Sequence, residues 1–215
     1  ADNDSLKYCT VKGSGTGSTK GIISIGDAAA STDGNDNNTI ANCDITSNGT
    51  SRPYYAIFSE ASKAKITNSG MSILNNNFYD FLNKGVASYG LYLGNFNSTW
   101  TISGNSFYET SSFTPTASVA YYLIRINSGE GYTISNNYFG GSSASCGGTW
   151  TKTNEFDNSF YALYLNAGTA AASTLQNNTI RNYSWSNSSS APWSGIYIAA
   201  GNVNISGSLI SDLTF

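Results

Sequence analysis

Hydrophobic and polar residues follow a pattern that recurs along the whole chain. The pattern is an apolar residue, any two residues, a small polar residue or cysteine, any one residue, and a second apolar residue. It occurs seven times, and its central position holds Cys9, Cys43, Asn76, Asn105, Asn137, Asn178 and Ser208. Successive copies lie 34, 33, 29, 32, 41 and 30 residues apart. A repeat at near-constant spacing predicts a repeat architecture.

Each interval between two copies contains a further segment in which apolar and polar residues alternate. The middle residues of these segments are Ser24, Phe58, Tyr92, Arg125, Tyr164 and Tyr197. Alternation with a period of two is typical of a β-strand with one buried face. Each period therefore holds at least two short strands, and one period cannot bury its own apolar face. Stacking the periods would make a continuous core, which is how solenoid proteins are stabilised.

We predict an all-β fold, a single-stranded right-handed parallel β-helix (β-solenoid) of about six coils of 29–41 residues. Residues 1–215 are predicted to form one domain, with a long loop insertion at about 140–160. A β-sandwich would not place a polar residue at one fixed position of every repeat. A propeller blade of 40–45 residues does not fit periods as short as 29.

The segments TISGNSF, TISNNYF and LQNNTI, preceded by GLYL, LIRI and ALYL, resemble coils of right-handed parallel β-helix proteins of the pectate-lyase-like type. The resemblance extends over roughly residues 6 to 213. It implies the fold and says little about activity, because the same fold serves lyases, hydrolases and adhesins. Positions that would correspond to the catalytic residues of the family's enzymes are not found in this sequence.

The central residue of each repeat is expected to lie at a bend, stacked on its equivalents in the coils above and below. Stacked asparagines can satisfy buried polar groups by hydrogen-bonding from coil to coil. Cys9 and Cys43 occupy this position in adjacent coils, about 4.8 Å apart, which suits either a disulfide or two buried thiols. Cys146 lies in a Gly/Ser-rich stretch and is not assigned a partner.

Composition excludes several classes of protein. The chain has 10 basic and 13 acidic residues and a pI of about 4.7, so no nucleic-acid partner is predicted. No apolar run approaches the ~20 residues of a membrane span. Histidine is absent, which removes His-based triads and His metal sites. The 40% hydrophobic content is too high for a disordered chain.

The sequence does not predict a catalytic constellation. Asp27, Glu60 and Glu130 follow alternating segments in different coils and at different offsets, whereas glycoside hydrolysis needs two carboxylates ~5–9.5 Å apart. Arg125 is the only basic residue at the centre of an alternating segment, and its neighbours in the column are not acidic. We therefore predict no enzyme activity, no metal and no cofactor.

The alternating segments predict an outward column of Phe58, Tyr92, Arg125, Tyr164 and Tyr197. We place small residues beside this column on the same outer face, namely Ala56, Gly90, Ala162 and Gly195. Aromatic rings among small neighbours could form a platform for a sugar ring or for another chain. The alternative is structural, with cross-strand aromatic pairs that stabilise the sheet.

The ends of the predicted stack indicate a possible mode of assembly, because no capping segment is apparent at either end. One end layer is predicted to contain Leu6, Val11, Ile23 and Ile25, and the other Ile196, Ile198, Ile205 and Ile210. Our main hypothesis is a secreted structural protein, extracellular or on the cell surface, that self-associates head to tail into a filament or acts as an adhesive subunit. The alternative is a polysaccharide-binding module, or a lyase or hydrolase fragment.

Overall fold

The computed structural model describes residues 2–27, 32–49, 51–64 and 66–215, and it is an all-β parallel solenoid of about six turns. The strands form three long sheets of seven, eight and six members, and most turns contribute one strand to each. Every pairing between named strands is parallel and joins residues about one period apart, as for Leu6 with Ile40 and Ile40 with Ile73. The fold class predicted from the repeat is confirmed.

Sheet 1 contains the first strand of each repeat. Its members in stacking order are β1 (Ser5–Lys7), β4 (Thr39–Ala41), β8 (Ser72–Leu74), β12 (Thr101–Ser103), β15 (Thr133–Ser135), β19 (Ser173–Gln176) and β22 (Val203–Ser206).

Sheet 2 follows directly after a sharp bend. Its members are β2 (Thr10–Gly13), β5 (Asp44–Ser47), β9 (Asn77–Tyr79), β13 (Ser106–Tyr108), β16 (Tyr138–Phe139), β17 (Trp150–Lys152), β20 (Thr179–Trp185) and β23 (Leu209–Thr214).

Sheet 3 is built from the alternating segments. Its members are β3 (Gly21–Ile25), β6 (Tyr55–Ser59), β10 (Ser88–Leu93), β14 (Tyr121–Ile126), β18 (Phe160–Asn166) and β21 (Trp193–Ala200). A short fourth sheet pairs β7 (Asn68–Ser69) with β11 (Asn97–Ser98).

The bend between sheets 1 and 2 repeats one local conformation in all seven copies. The residue before the ladder position has a positive φ of 54–71° in each coil. These residues are Tyr8, Asn42, Asn75, Gly104, Asn136, Asn177 and Gly207. Glycine and asparagine tolerate this left-handed region best, which explains why they dominate the position. Tyr8 is the exception, and it is largely exposed.

The residue after the bend turns into the core, and the asparagines there form a continuous ladder. Asn105 donates from both its backbone N–H and its Nδ2 to Oδ1 of Asn137, each at 3.0 Å. Asn137 in turn donates to Oδ1 of Asn178 at 3.1 and 3.0 Å. The second amide hydrogen reaches the coil below, where Nδ2 of Asn137 lies 2.9 Å from the Ile102 carbonyl oxygen. The amides thus satisfy buried backbone groups that the bend leaves without sheet partners.

The interior is filled by columns of equivalent residues. Phe78, Phe107 and Phe139 stack with ring centroids 4.6 and 5.0 Å apart, and all three are fully buried. Isoleucine and leucine fill the facing columns from sheets 1 and 3. A side chain in one coil therefore packs mainly on the same position of its neighbours, and burial of these columns stabilises the stack.

The insertion at about 140–160 is shorter than the sequence suggested. Residues 140–149 leave the coil and contain a short 3-10 helix, Ala144–Cys146. The chain then returns as β17, which continues the line of β16 and pairs with the long strand β20. Trp150 is fully buried, whereas Phe156 is 42% exposed. The alternation of Trp150, Thr151 and Lys152 explains the return, because it offers a strand with one apolar face.

Candidate functional site

The outer face of sheet 3 carries the predicted aromatic column. Phe58 pairs with Tyr92, Tyr92 with Arg125, and the register continues through Tyr164 to Tyr197. Sheet 3 thus brings these five residues, which span 140 residues of sequence, into one line along the solenoid axis. Tyr197, in the last coil, is 44% exposed.

A second column, which the sequence analysis missed, runs beside the first. It consists of Tyr55, Tyr89, Tyr122 and Tyr161 and stands in register on the same sheet. These tyrosines precede the first column by three residues, so strict alternation does not reveal them. The recurring spacing of tyrosine, two residues, then an aromatic or arginine was the available signal. We call the two columns together the tyrosine face.

The small residues that we placed on this outer face point inward instead. Ala56 and Ala162 are fully buried, and a Cβ on Gly90 would lie 3.1 Å from a ring carbon of Phe107 in the core. A Cβ on Gly195 would lie 3.0 Å from the side chain of Ile210. Two consecutive residues of each sheet 3 strand therefore face the interior. The first of the two is small in these four strands, and it fits where the strand bends toward the core.

The rings of the tyrosine face stack on each other along the axis. Tyr122 lies between Tyr89 and Tyr161, with centroid distances of 5.0 and 4.9 Å and interplanar angles of 5° and 8°. Phe58 and Tyr92 are also parallel, 5.7 Å apart. The ring faces are therefore covered by neighbouring rings, and solvent meets mainly ring edges and hydroxyls. Stacking of this kind stabilises the coil-to-coil contact.

Burial changes the acidity of these phenols. It raises the pKa of Tyr89 to about 12, with Tyr54 adding to the rise and Arg125 opposing it. Burial also raises the pKa of Tyr92 and Tyr122, again against the effect of Arg125. The hydroxyls of Tyr89, Tyr92 and Tyr122 therefore remain protonated through the physiological range and can donate hydrogen bonds.

Arg125 interrupts the aromatic column and is held by the rings around it. Its guanidinium carbon lies 4.8 Å from the ring centroid of Tyr122, 5.0 Å from that of Tyr164 and 5.9 Å from that of Tyr89. Within the described ranges Arg125 makes no ion pair, and its buried Nε has no hydrogen-bond partner. Cation–π contacts thus take the place of a carboxylate partner.

A buried cluster of charged residues, not predicted from the sequence, connects three coils in the segments that follow the strands of sheet 2. Arg52 Nη1 lies 2.5 Å from Oε2 of Glu109, and Nη2 lies 3.5 Å from Oδ1 of Asp80. Glu109 is fully buried, and this burial raises its pKa to about 8 although Arg52 acts in the opposite direction. Because its carboxyl group is closed off from solvent, Glu109 cannot meet a substrate in this conformation.

Lys152 is a second buried charge, only 1% exposed. Its Nζ donates to the carbonyl oxygens of Asn154 and Phe156, both at 2.7 Å, and to that of Ser186. It also donates to Oδ1 of Asn187 at 3.2 Å. Burial lowers the pKa of Lys152 to about 8. These bonds fasten the segment after β17 to the following coil.

The carboxylates considered as catalytic candidates bind the neighbouring coil. Asp27 accepts a 2.5 Å hydrogen bond from Oγ of Ser62. Glu60 accepts one from Nδ2 of Asn95 at 2.8 Å, and Glu130 accepts the N–H of Ala170 at 2.9 Å. No group of three or more His, Cys, Asp or Glu residues that could hold a metal occurs within residues 2–27, 32–49, 51–64 and 66–215.

The two end layers expose apolar side chains whose equivalents inside the stack are fully buried. At one end Ile198, Ile205 and Ile210 are 36%, 50% and 46% exposed, and Ile196 is half-buried. At the other end Leu6 is 38% exposed, and Val11, Ile23 and Ile25 are half-buried. A cavity of about 320 Å³ opens there, lined by residues that include Leu6, Ile23, Ile25, Ile40 and Met71.

Comparisons with known proteins add little to this description. No family model matches the chain, and no curated protein does. Among solved structures, the Streptococcus pneumoniae surface protein and adhesin PfbA is similar with a TM-score of 0.47 and 13% identity, over 100% of this chain and 67% of that one. The class of the protein therefore rests on its own strand pairing, which is that of a parallel β-solenoid. The part of the chain that the structure describes contains no helix that is long and apolar enough to span a membrane.

Proposed function

We propose that this chain is a structural β-solenoid without catalytic activity, which functions outside the cell or at its surface by head-to-tail self-association. The observation that carries the proposal is the pair of exposed apolar end layers in matching register. The carboxylates that bind neighbouring coils agree with a structural role. The resemblance of the coils to those of pectate-lyase-like proteins enters this proposal only as a resemblance in architecture. It does not imply catalytic residues in this chain.

The occupant proposed for each end layer is a second copy of the same chain. If Leu6 of one copy stacks on Ile205 of another, Val11 meets Ile210 with the spacing already seen between coils. Sheet 3 has one strand fewer than sheet 1, so Ile23 and Ile196 would lie two coil spacings apart in this contact. The strands at both ends have unpaired edges that such a contact would hydrogen-bond. A head-to-tail contact of this kind is heterologous and extends into an open filament.

Replacing Ile205 with lysine should abolish assembly and leave a folded monomer, because the junction would bury an ammonium group without a partner. Asn204→Lys is the matched control, since it adds the same charge to the outer surface of the same coil. Light scattering across a concentration series and negative-stain microscopy provide the readouts. Wild-type protein that stays monomeric at high concentration would contradict the proposal.

A second candidate function, supported by the tyrosine face and by the unpaired guanidinium of Arg125, is binding of a polysaccharide without cleavage. The hydroxyls at the ring edges repeat about every 5 Å along the axis. Such a row can hydrogen-bond an extended glycan, while exposed ring edges contact its C–H groups. Arg125 would add a charge-assisted hydrogen bond in the centre of the row.

Arg125→Gln combined with Tyr164→Ser should weaken binding to an immobilised polysaccharide by about tenfold or more, because central aromatic and arginine residues dominate such interfaces. Tyr79→Ser is the control, since Tyr79 stacks on Tyr108 at 5.3 Å on the other long aromatic surface, sheet 2. Cellulose, chitin and polygalacturonate are suitable probes, with released sugar measured in parallel. Absence of binding to a broad glycan panel would rule out this second function, and release of sugar would show catalysis instead.

A further inference from the structure

The asparagine ladder changes its chemistry at the junction between the first two coils. In the coils above, each amide receives or donates several hydrogen bonds, as between Asn76 and Asn105 at 2.9 and 3.0 Å. Nδ2 of Asn76 also reaches the Ile40 carbonyl at 2.9 Å. Between the first two coils the equivalent residues are Cys9 and Cys43. The thiol of Cys43 lies 3.6 Å from the Leu6 carbonyl oxygen, a much weaker contact than an amide would make.

The two thiols are already next to each other. Sγ of Cys9 lies 3.4 Å from Sγ of Cys43, and both are free. The strands on either side are paired in register, Lys7 with Ala41 and Thr10 with Asp44, which sets the two cysteines one strand spacing apart. The residues before them, Tyr8 and Asn42, have nearly equal φ angles of 56° and 55°. The same bend therefore aims both side chains in the same direction, at a separation that a disulfide tolerates.

We infer that Cys9 and Cys43 form a disulfide bond under oxidising conditions, as a covalent rung of the ladder at the point where the amides are missing. With a dissolved disulfide such as oxidised glutathione as oxidant, the Cys9 thiolate attacks one glutathione sulfur and releases one glutathione thiolate. The Cys43 thiolate then attacks Sγ of Cys9 and releases the second. The two protons lost by the cysteines pass through solvent to the two glutathione thiolates, the cysteine pair loses two electrons, and one glutathione disulfide becomes two thiols.

Access of an oxidant to Cys9, and the position of Cys146 in the insertion, favour the Cys9–Cys43 pair over any other. Cys9 lies in the first coil and is half-buried, so an oxidant can reach it, whereas Cys43 is only 1% exposed. Cys146 is buried in the insertion, where its thiol faces the carbonyl oxygen of Thr179 at 3.8 Å. The inference concerns this junction of the stack and does not depend on the proposed self-association or on glycan binding.

The bond can be tested on the wild-type chain without any variant. After incubation with oxidised glutathione, the protein is unfolded in an alkylating reagent and weighed. We expect one alkylated cysteine in place of three, and a tryptic digest should contain peptide 8–12 joined to peptide 21–63. The hydrogen bond between the two thiols raises the pKa of Cys9, so the exchange is best run near pH 9.

Matched variants separate this bond from general oxidation. Cys9→Ser and Cys43→Ser should each remove the cross-link, while Cys146→Ser should retain it. Amide hydrogen exchange in β1 and β2 should slow by about tenfold or more on oxidation of the wild type, because a disulfide limits opening of the end coil. Three alkylated cysteines in folded, oxidant-treated protein would overturn the inference, as would a cross-link to Cys146.

Discussion

At pH 9, where its carboxyl group is ionised, replacing Glu109 with alanine should lower the free energy of unfolding by about 3–5 kcal/mol, the range found when one partner of a buried charged pair is removed. Arg52 would lose its 2.5 Å contact and keep the Leu82 carbonyl, the longer contact to Asp80 and the ring of Phe113. Three coils meet at this cluster, so the loss affects the middle of the stack. Denaturant unfolding followed by circular dichroism measures the change.

Two comparisons show whether the charge is responsible for this effect. Asp80→Asn should cost about 1 kcal/mol or less, because Asp80 lies on the more exposed side of the cluster. The double variant Arg52→Met with Glu109→Met should recover most of the stability, since no buried charge is left without a partner. If the double variant is as unstable as Glu109→Ala, packing and not charge explains the loss.

The same carboxyl group makes stability depend on pH. The pKa of Glu109 is raised to about 8 in the folded chain, above its ordinary value of 4.5. A raised pKa means that this group's contribution is complete below pH 4.5 and is lost as the pH rises through 8. The stability of the wild type relative to Glu109→Gln should therefore fall between about pH 5 and 8.

Replacing Asn137 with leucine should destabilise the chain by about 3 kcal/mol or more. The substitution removes the acceptor for two donors of Asn105 and the donor for the Ile102 carbonyl oxygen. Each buried polar group left without a partner costs about 1–3 kcal/mol. Leucine has a similar volume, so the loss reports hydrogen bonding more than packing. Thermal unfolding by calorimetry gives the value.

Ser135→Ala is the control for this substitution. Ser135 lies two residues away on the outer side of sheet 1, where it bonds to Oγ of Ser103 at 3.1 Å near solvent. Its replacement should change stability by no more than about 0.5 kcal/mol. Equal effects of the two substitutions would mean that the ladder contributes nothing specific.

The fold could be predicted from the sequence because a solenoid repeats its physical requirements. Every coil needs an apolar residue on each side of the bend and a polar group inside it, so positions such as Ile102, Asn105 and Phe107 recur at regular intervals. The spacing fixed both the register and the stacking. Because of the same regularity, the aromatic column through Tyr92 and Tyr164 could be predicted from the sequence.

Other features do not repeat from coil to coil, so no pattern in the sequence predicts them. Arg52 and Glu109 are 57 residues apart and meet once, where two loops happen to close on each other. The column through Tyr89 and Tyr122 was hidden because strict alternation fails where two consecutive residues face inward. The burial of Lys152 has no signal in the sequence, since most of its hydrogen-bond acceptors are backbone carbonyls, which composition does not indicate.

The stacked arrangement of the coils also determines how the molecule would bear a mechanical load. Tension applied along the axis passes through every junction in series, so each junction carries the same force and the weakest one yields first. At most junctions the load is shared by three sheets, a row of amides and a column of stacked rings. The junction between Cys9 and Cys43 has no amide rung, and Ser24 stands there opposite Phe58 in place of an aromatic ring. Oxidation of that cysteine pair would therefore move the point of mechanical failure to another coil.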